Sequence, residues 1–399
     1  MPNAPAAAAR LPAALLACVV AALAASSTAP AQDSAATTTG AARVAAPAMP
    51  ATTPGATATT APAPATPAAA AAPAAPAVAA PAPVPLPPQA PFDLQRADIR
   101  AFVDDVAARN GIPRADLLAL LGKAVAQPKI IEAMTRPAER VSPWWEYRAR
   151  FLTEQRIREG VDFWAQHRER LEKVEQDTGV AAPYVIAIIG VETFYGRLKG
   201  TWKVLDALMT LGFEYPPRGA FFRGELEQFL LLAREEKVDP AAVLGSYAGA
   251  MGAPQFIPSS YRKFAIDGGE DGGRNLFVDW DDIVASVANY FKVHGWQAGA
   301  PVLVEAQADP SVMATLDPRN LQLNDTVAGL RGRGVEFDAP VAPETAAILL
   351  PAELQDRPNV RVGFQNFQVI TRYNRSIRYA MAVHDLAEAI RARATAPAS

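Results

Sequence analysis

Cysteine is nearly absent: Cys18 is the only one in 399 residues. A disulfide within the chain and a thiolate metal cluster are both excluded on that ground. Histidine is almost as scarce. His167, His294 and His384 stand far apart with no His-Glu-x-x-His spacing, so zinc hydrolysis has no support. Neither Gly-x-Ser-x-Gly nor Gly-x-x-x-x-Gly-Lys-Ser occurs, which removes the serine-hydrolase and P-loop readings. A basic excess is missing too. From residue 92 onward there are 36 basic and 40 acidic side chains, a poor balance for neutralising phosphates. Nucleic acid is therefore not an expected partner.

Residues 1–91 lack all 31 aromatics and carry three charges, Arg10, Asp33 and Arg43, together with 18 of the 36 prolines. Such a segment cannot bury enough apolar surface to offset its chain entropy. Arg10, the apolar run Leu11 to Ala25 and the small-residue site Ala29-Pro30-Ala31 have the order of an export signal. The run is shorter than the about 20 residues that span a membrane. Cys18 admits two readings, a removed residue of the apolar run or, after Leu15-Leu16-Ala17, the lipid-carrying N-terminus of an outer-membrane lipoprotein. Val19 to Ala25 continues the apolar run and favours the first. Gln32 to Pro91 reads as an Ala/Pro/Thr tether, partly extended in the polyproline II manner.

Beyond the tether the texture is mostly helical. Ile99, Phe102, Val103 and Val106, then Leu117, Leu118 and Leu121, predict two helices broken at Gly111-Ile112-Pro113. Pro143 to Tyr147 reads as irregular, Thr153–Thr178 as one helix, and Pro183 opens an apolar helix that ends at Glu192. Helical patterns recur at Arg223–Glu236 and Asp282–His294. Between Pro301 and Asn366, Val302–Ala306, Ala347–Leu350 and Val360–Phe364 look like short strands, and Ile377–Ala392 closes the chain as a helix.

Glu192 is the most informative residue. A carboxylate one turn beyond Ile188 and Ile189, at the negative end of a helix, is expected to hold its proton to a higher pH. A protonated acid near neutral pH is what glycosidic cleavage asks of a general acid. The competing reading is a helix-terminal Glu at the surface or paired with Arg197. Ser246 to Tyr261 is dense in small residues and contains Gln255, which offers both a donor and an acceptor; a tight helix crossing is the plainer account. Asp267-Gly268-Gly269-Glu270-Asp271-Gly272-Gly273 is a degenerate EF-hand match, with Gly269 at position three and Val278 at position twelve. A glycine-rich turn capped by Asp281 competes with it. Aromatics such as Trp144, Trp145, Tyr147, Tyr215, Phe221, Tyr290, Tyr373 and Tyr379 suit sugar rings, though each singly suits a core equally well.

Taken together, IIGVETFYGRLKGTWKVLDALMTLGFEYPPRGAFFRGELEQFLLLARE, GSYAGAMGAPQFIPSSYRKFAIDGGEDGG, SVANYFKVHGW and ITRYNRSIRYAMAV resemble the lytic murein transglycosylase B family, glycoside hydrolase family 103, over residues 92–399. The resemblance implies a mainly α (α+β) fold: a lysozyme-like helical core with an added N-terminal helical domain and a small β-rich insert. The expected division is 1–31 signal, 32–91 tether, 92–180 helical domain, 181–300 catalytic core, 301–366 β-rich domain and 367–399 returning helix. The resemblance also implies cleavage of the MurNAc-β-1,4-GlcNAc bond of peptidoglycan in the periplasm, leaving 1,6-anhydromuramoyl ends. Glu192 would be the one acid and then base, and the 2-acetamido group would replace a second carboxylate. Ser246 and Gln255 match cleft positions, Tyr147, Tyr290, Tyr373, Asn374 and Tyr379 positions near the acid or the glycan subsites, and Arg218 a position suited to peptide carboxylates. No cofactor is required. A structural calcium would take Asp267, Asp271 and Asp282, or Asp281 in its place, with the Gly273 carbonyl. Departures are Pro217 before Arg218, Phe221 where tyrosine is common, and Gly269 in the calcium loop. The alternatives are a hydrolytic muramidase and a catalytically inactive peptidoglycan-binding protein.

Overall fold

The structure, a computed structural model, describes residues 86–135 and 142–396. The export signal, Cys18 and most of the tether lie outside the described residues. The tether's last residues are paired: the Ala126 N–H donates to the Ala90 carbonyl at 2.9 Å, and Pro91 bridges Val125.

Helices α1 (Ala97–Asn110) and α2 (Arg114–Leu121) form as the apolar spacing predicts, and Gly111 ends α1 at φ 62°. Helix α3 (Pro128–Thr135) follows. The stretch expected to be irregular before residue 150 holds a short helix, α4 (Trp144–Ala149). The expected single helix over 153–178 is two: α5 (Glu154–Gln166), capped by the Thr153 hydroxyl, and α6 (Arg168–Thr178). The break falls at His167, whose buried ring packs on Phe163 at 4.3 Å and on Trp280 at 5.1 Å. No glycine or proline marks that break in the sequence; tertiary packing makes it.

Helix α7 (Ala182–Thr193) carries Pro183 in its first turn and is buried along its whole length. Its all-round apolar sequence is that of a helix surrounded by others. Strand β1 (Trp202–Lys203) leads into α8 (Val204–Phe213), likewise wholly buried, and a 3-10 turn (Pro216–Arg218) into α9 (Gly219–Glu235). Strand β2 (Leu244–Gly245) pairs antiparallel with β1. Helices α10 (Pro258–Phe264) and α11 (Trp280–Val293) follow, the second capped by Asp279.

The insert is a four-stranded antiparallel sheet in the order β3-β6-β5-β4, built from β3 (Leu303–Ala306), β4 (Asp325–Thr326), β5 (Ala346–Pro351) and β6 (Val360–Gly363). Short helices α12 (Pro310–Met313) and α13 (Val327–Gly332) cross over between strands. Val327, Leu330, Val335, Leu349, Val360 and Val362 make its own small core. Helices α14 (Gln365–Tyr373) and α15 (Ile377–Thr395) return to the main core, α15 packing along α7 and α5. That main core runs from Phe92 to Ile390, so the helices before α7 share it with those after. Among the described residues no helix is long and apolar enough to cross a membrane.

Candidate active site

Glu192 sits in the last turn of α7 and is only 6% exposed. Tyr379, on α15, donates its hydroxyl to Oε1 at 2.6 Å, while Oε2 is buried with no hydrogen-bond partner among the described residues. Burial pushes the carboxyl up to about 8, opposed by the Tyr379 hydrogen bond. The two competing positions for this Glu are both excluded: it is not at the surface, and Arg197 pairs with Glu159.

The chain leaves α7 through three consecutive left-handed residues, Phe194 (φ 51°), Tyr195 (φ 59°) and Gly196 (φ 79°). Two of these carry a side chain, so the turn is strained and needs support from its surroundings. Thr193 Oγ1 supplies part of it, accepting from the Gly196 N–H at 3.0 Å and donating to the Ala253 carbonyl at 2.8 Å. That second bond ties the end of α7 to the small-residue loop 246–257. Sequence reasoning passed over Thr193, which looks like any residue in a helix end.

Around Glu192 the structure gathers tyrosines from separate elements. Tyr373, at the end of α14, donates to the Pro254 carbonyl at 2.6 Å, and its ring lies 4.8 Å from that of Tyr290 on α11. Tyr290 donates to the Arg372 carbonyl at 2.7 Å. Burial, with the Glu192 charge adding to it, holds the Tyr373 and Tyr379 hydroxyls well above the usual range, so both stay protonated donors. Tyr147 of α4, its ring stacked on Trp144 and tilted against Phe151, is within electrostatic reach of Tyr379. Asn374 is buried at the turn between α14 and α15.

The glycine-rich loop is a tight backbone structure. A Cβ on Gly200 (φ 95°) would lie 2.1 Å from the Gly245 carbonyl, so the chain there requires glycine. Met251 and Phe256 exchange two backbone hydrogen bonds across the loop. Ser246 is buried, and its Oγ accepts from the Ala250 and Ala248 N–H groups at 3.0 and 3.3 Å; its side chain shapes the loop. Gln255 adopts φ 54°, and its amide nitrogen donates to the Gly252 and Lys199 carbonyls at 2.9 and 3.2 Å. The loop is thus built upon itself and upon the exit from α7. Arg218 keeps other company, stacked over Phe221 at 4.3 Å and Phe222 at 5.2 Å and in electrostatic reach of the buried Glu225.

The aspartates of the 267–282 loop turn toward the backbone. Asp267 accepts from the N–H groups of Asp271 and Gly272, Asp271 from that of Gly273, and the buried Asp282 from those of Gly268 and Asn275. Asp281 pairs with Arg170 at 2.8 Å, and Asp279 caps α11 in the place expected of Asp281. Among the described residues no group of three His, Cys, Asp or Glu converges as a cation site. A structural calcium would be held by Asp267, Asp271, Asp282 and the Gly273 carbonyl, and no chemical step is assigned to a metal.

The sequence and the fold have counterparts in known proteins. A family model for the Transglycosylase SLT domain matches residues 95–388. The membrane-bound lytic murein transglycosylase B of Escherichia coli (strain K12) is 39% identical over 300 residues, covering 72% of this chain and 81% of the relative. The structure is similar to that of the catenated lytic transglycosylase SltB1 from Pseudomonas aeruginosa, with a TM-score of 0.73 and 44% identity over 75% of this chain and 98% of that one. It is also similar to SltB3 from Pseudomonas aeruginosa in complex with NAG-anhNAM-pentapeptide, with a TM-score of 0.65 and 31% identity over 73% and 78%. A buried, tyrosine-held carboxyl at the end of the central helix, in a lysozyme-like helical fold with this sequence kinship, makes the chain a member of the lytic murein transglycosylase B family, enzymes acting on peptidoglycan.

Proposed function

We propose that the chain cleaves the MurNAc-β-1,4-GlcNAc bond without net addition of water, using Glu192 first as acid and then as base. The observation that carries this reading is the asymmetry of the carboxyl: Oε1 is held by Tyr379, while Oε2, buried and without a partner among the described residues, is left to carry a mobile proton. With its pKa raised to about 8, Glu192 is protonated at neutral pH, as a donor to a leaving alkoxide must be.

In the first step the Oε2 proton passes to the glycosidic oxygen as the C1–O4 bond breaks, and the GlcNAc side leaves as an alcohol. The 2-acetamido oxygen of the muramoyl residue shares the charge at C1. In the second, the C6 hydroxyl attacks C1, its proton returns to Glu192, and the C1–O6 bond closes the 1,6-anhydro ring. Bonds and protons balance with no cofactor. Tyr379 assists the first step, because a hydroxyl donating to Oε1 stabilises the carboxylate left when the proton is given up. Burial and Tyr379 are the causes of the acid's shifted ionisation, with no second carboxylate among them, which supports a one-acid mechanism.

Tyr147, Tyr290, Tyr373 and Asn374 would line the glycan subsites, and Arg218, half-desolvated on Phe221, would meet the carboxylates of the stem peptides. Gln255 and Ser246 would act by holding the cleft loop. The periplasm is the compartment this substrate and the N-terminal export pattern call for. Purified sacculi, digested and analysed by mass spectrometry, test the reading. Anhydromuropeptides are expected; products heavier by one water would make the enzyme a hydrolytic muramidase instead.

A further inference from the structure

Arg156 is the most deeply buried basic side chain among the described residues, 2% exposed at the core of α5. No carboxylate among the described residues pairs with it, an unusual state because a buried charge is normally compensated by its opposite. Burial, with the nearby Arg197 charge adding to it, brings its pKa down to about 10, so it remains a cation at neutral pH.

Its compensation comes from helix ends and rings. Nε donates to the Gly190 carbonyl at 3.2 Å, at the negative end of α7 and two residues before Glu192. Nη1 donates to the carbonyls of Arg150 and Phe151, at 2.7 and 3.1 Å, at the end of α4, which carries Tyr147. The guanidinium carbon lies 4.6 Å from the ring centre of Phe194, the first left-handed residue after α7, and 5.4 Å from that of Phe151. Arg197 lies over the same Phe194 ring at 4.3 Å, so that ring meets two cations. The next left-handed residue, Tyr195, donates its hydroxyl to the backbone carbonyl of Arg156 at 2.7 Å. Its ring fills a notch open only because residues 160 and 190 are glycines: a Cβ at either would come within 2.8 Å of it.

We propose that Arg156 is a positioning residue for Glu192: its planar fork holds the ends of the acid's helix and the Tyr147 helix in register, and clamps the strained Phe194–Tyr195 turn. A lysine could keep the charge but not the fork, since one ammonium on a longer stem does not reproduce the two-sided geometry. The proposal rests on Glu192 being the acid, and the Glu192→Gln variant tests that separately: retained turnover there would remove the premise whatever Arg156 does.

The test compares Arg156→Lys and Phe194→Leu with Val103→Ala, a core truncation in α1 that destabilises without touching this cluster. Each variant is assayed on soluble glycan fragments well below its own melting temperature. Arg156→Lys is expected to lose at least tenfold in kcat with KM within about twofold, and Phe194→Leu to move in the same direction. Val103→Ala is expected to keep the wild-type kcat despite a comparable fall in melting temperature. Wild-type kcat in Arg156→Lys, or losses in step with melting temperature across all three variants, would overturn the proposal. If both cluster variants fail to fold while Val103→Ala folds, Arg156 is scaffold and the positioning role is wrong.

Discussion

The Tyr379 hydroxyl meets Oε1 of Glu192 at 2.6 Å across 187 residues of chain. The acid stands on one helix and, among the described residues, its one hydrogen-bond partner on another that returns after the β-rich insert, so the site forms when α15 docks along α7.

Replacing Glu192 by Gln is expected to abolish turnover, at least a thousandfold, while making the protein more stable at neutral pH. The sign follows from the raised pKa. Below about 4.5 the carboxyl is protonated in both folded and unfolded chains and costs nothing. Between 4.5 and about 8 the unfolded chain ionises and the folded one does not, so stability falls as pH rises through that window. At pH 7 the glutamine removes a penalty of up to about 3 kcal/mol. Denaturant midpoints at pH 4 and pH 7 check it; a gain equal at both would point to packing instead.

The rate of the wild-type enzyme should fall on the alkaline side as Glu192 loses its proton, with the midpoint near 8. Initial rates on soluble muropeptides between pH 5 and 10 measure this. A midpoint near 5 would mean that the acid is not Glu192 in this environment.

Tyr379→Phe removes the bond that favours the carboxylate. The alkaline limb is expected to move to higher pH, and kcat to drop by roughly ten- to a hundredfold, in the range of one charge-assisted hydrogen bond. An unchanged pH profile would show that the hydroxyl does not act on the acid.

Gly200→Ala places a Cβ 2.1 Å from the Gly245 carbonyl at φ 95°. The β1–β2 pairing and the cleft loop behind it cannot both persist, so a loss of several kcal/mol or failure to fold is expected. Thermal unfolding measures it, with Gly224→Ala, where a Cβ meets nothing within 4 Å, as the companion that should fold.

Chelator should leave turnover intact, because no step of the reaction passes through a metal. Calcium held by Asp267, Asp271 and Asp282 would act on the fold alone, seen as a rise in melting temperature with no change in rate. A rate that falls with chelator would place the ion in the chemistry.

The sequence by itself determined the local features. The apolar run after Pro183, the break at Gly111 and the alternation of Val360 to Val362 identify α7, the α1–α2 break and β6, because side-chain period and backbone permission are local properties. Glu192 was legible for the same reason, one carboxylate in an unbroken apolar helix. Helix α8 was not: buried on every side like α7, it shows no period, and it has no proline to mark its start. The split of α5 from α6 at His167 came from rings on Phe163 and Trp280, the second more than a hundred residues away. Only the tertiary structure decided which of Glu192's oxygens is held and that Ser246 bonds its own loop. It also decided that a buried arginine serves two helix ends, because each of these depends on where distant backbone carbonyls and hydroxyls come to rest.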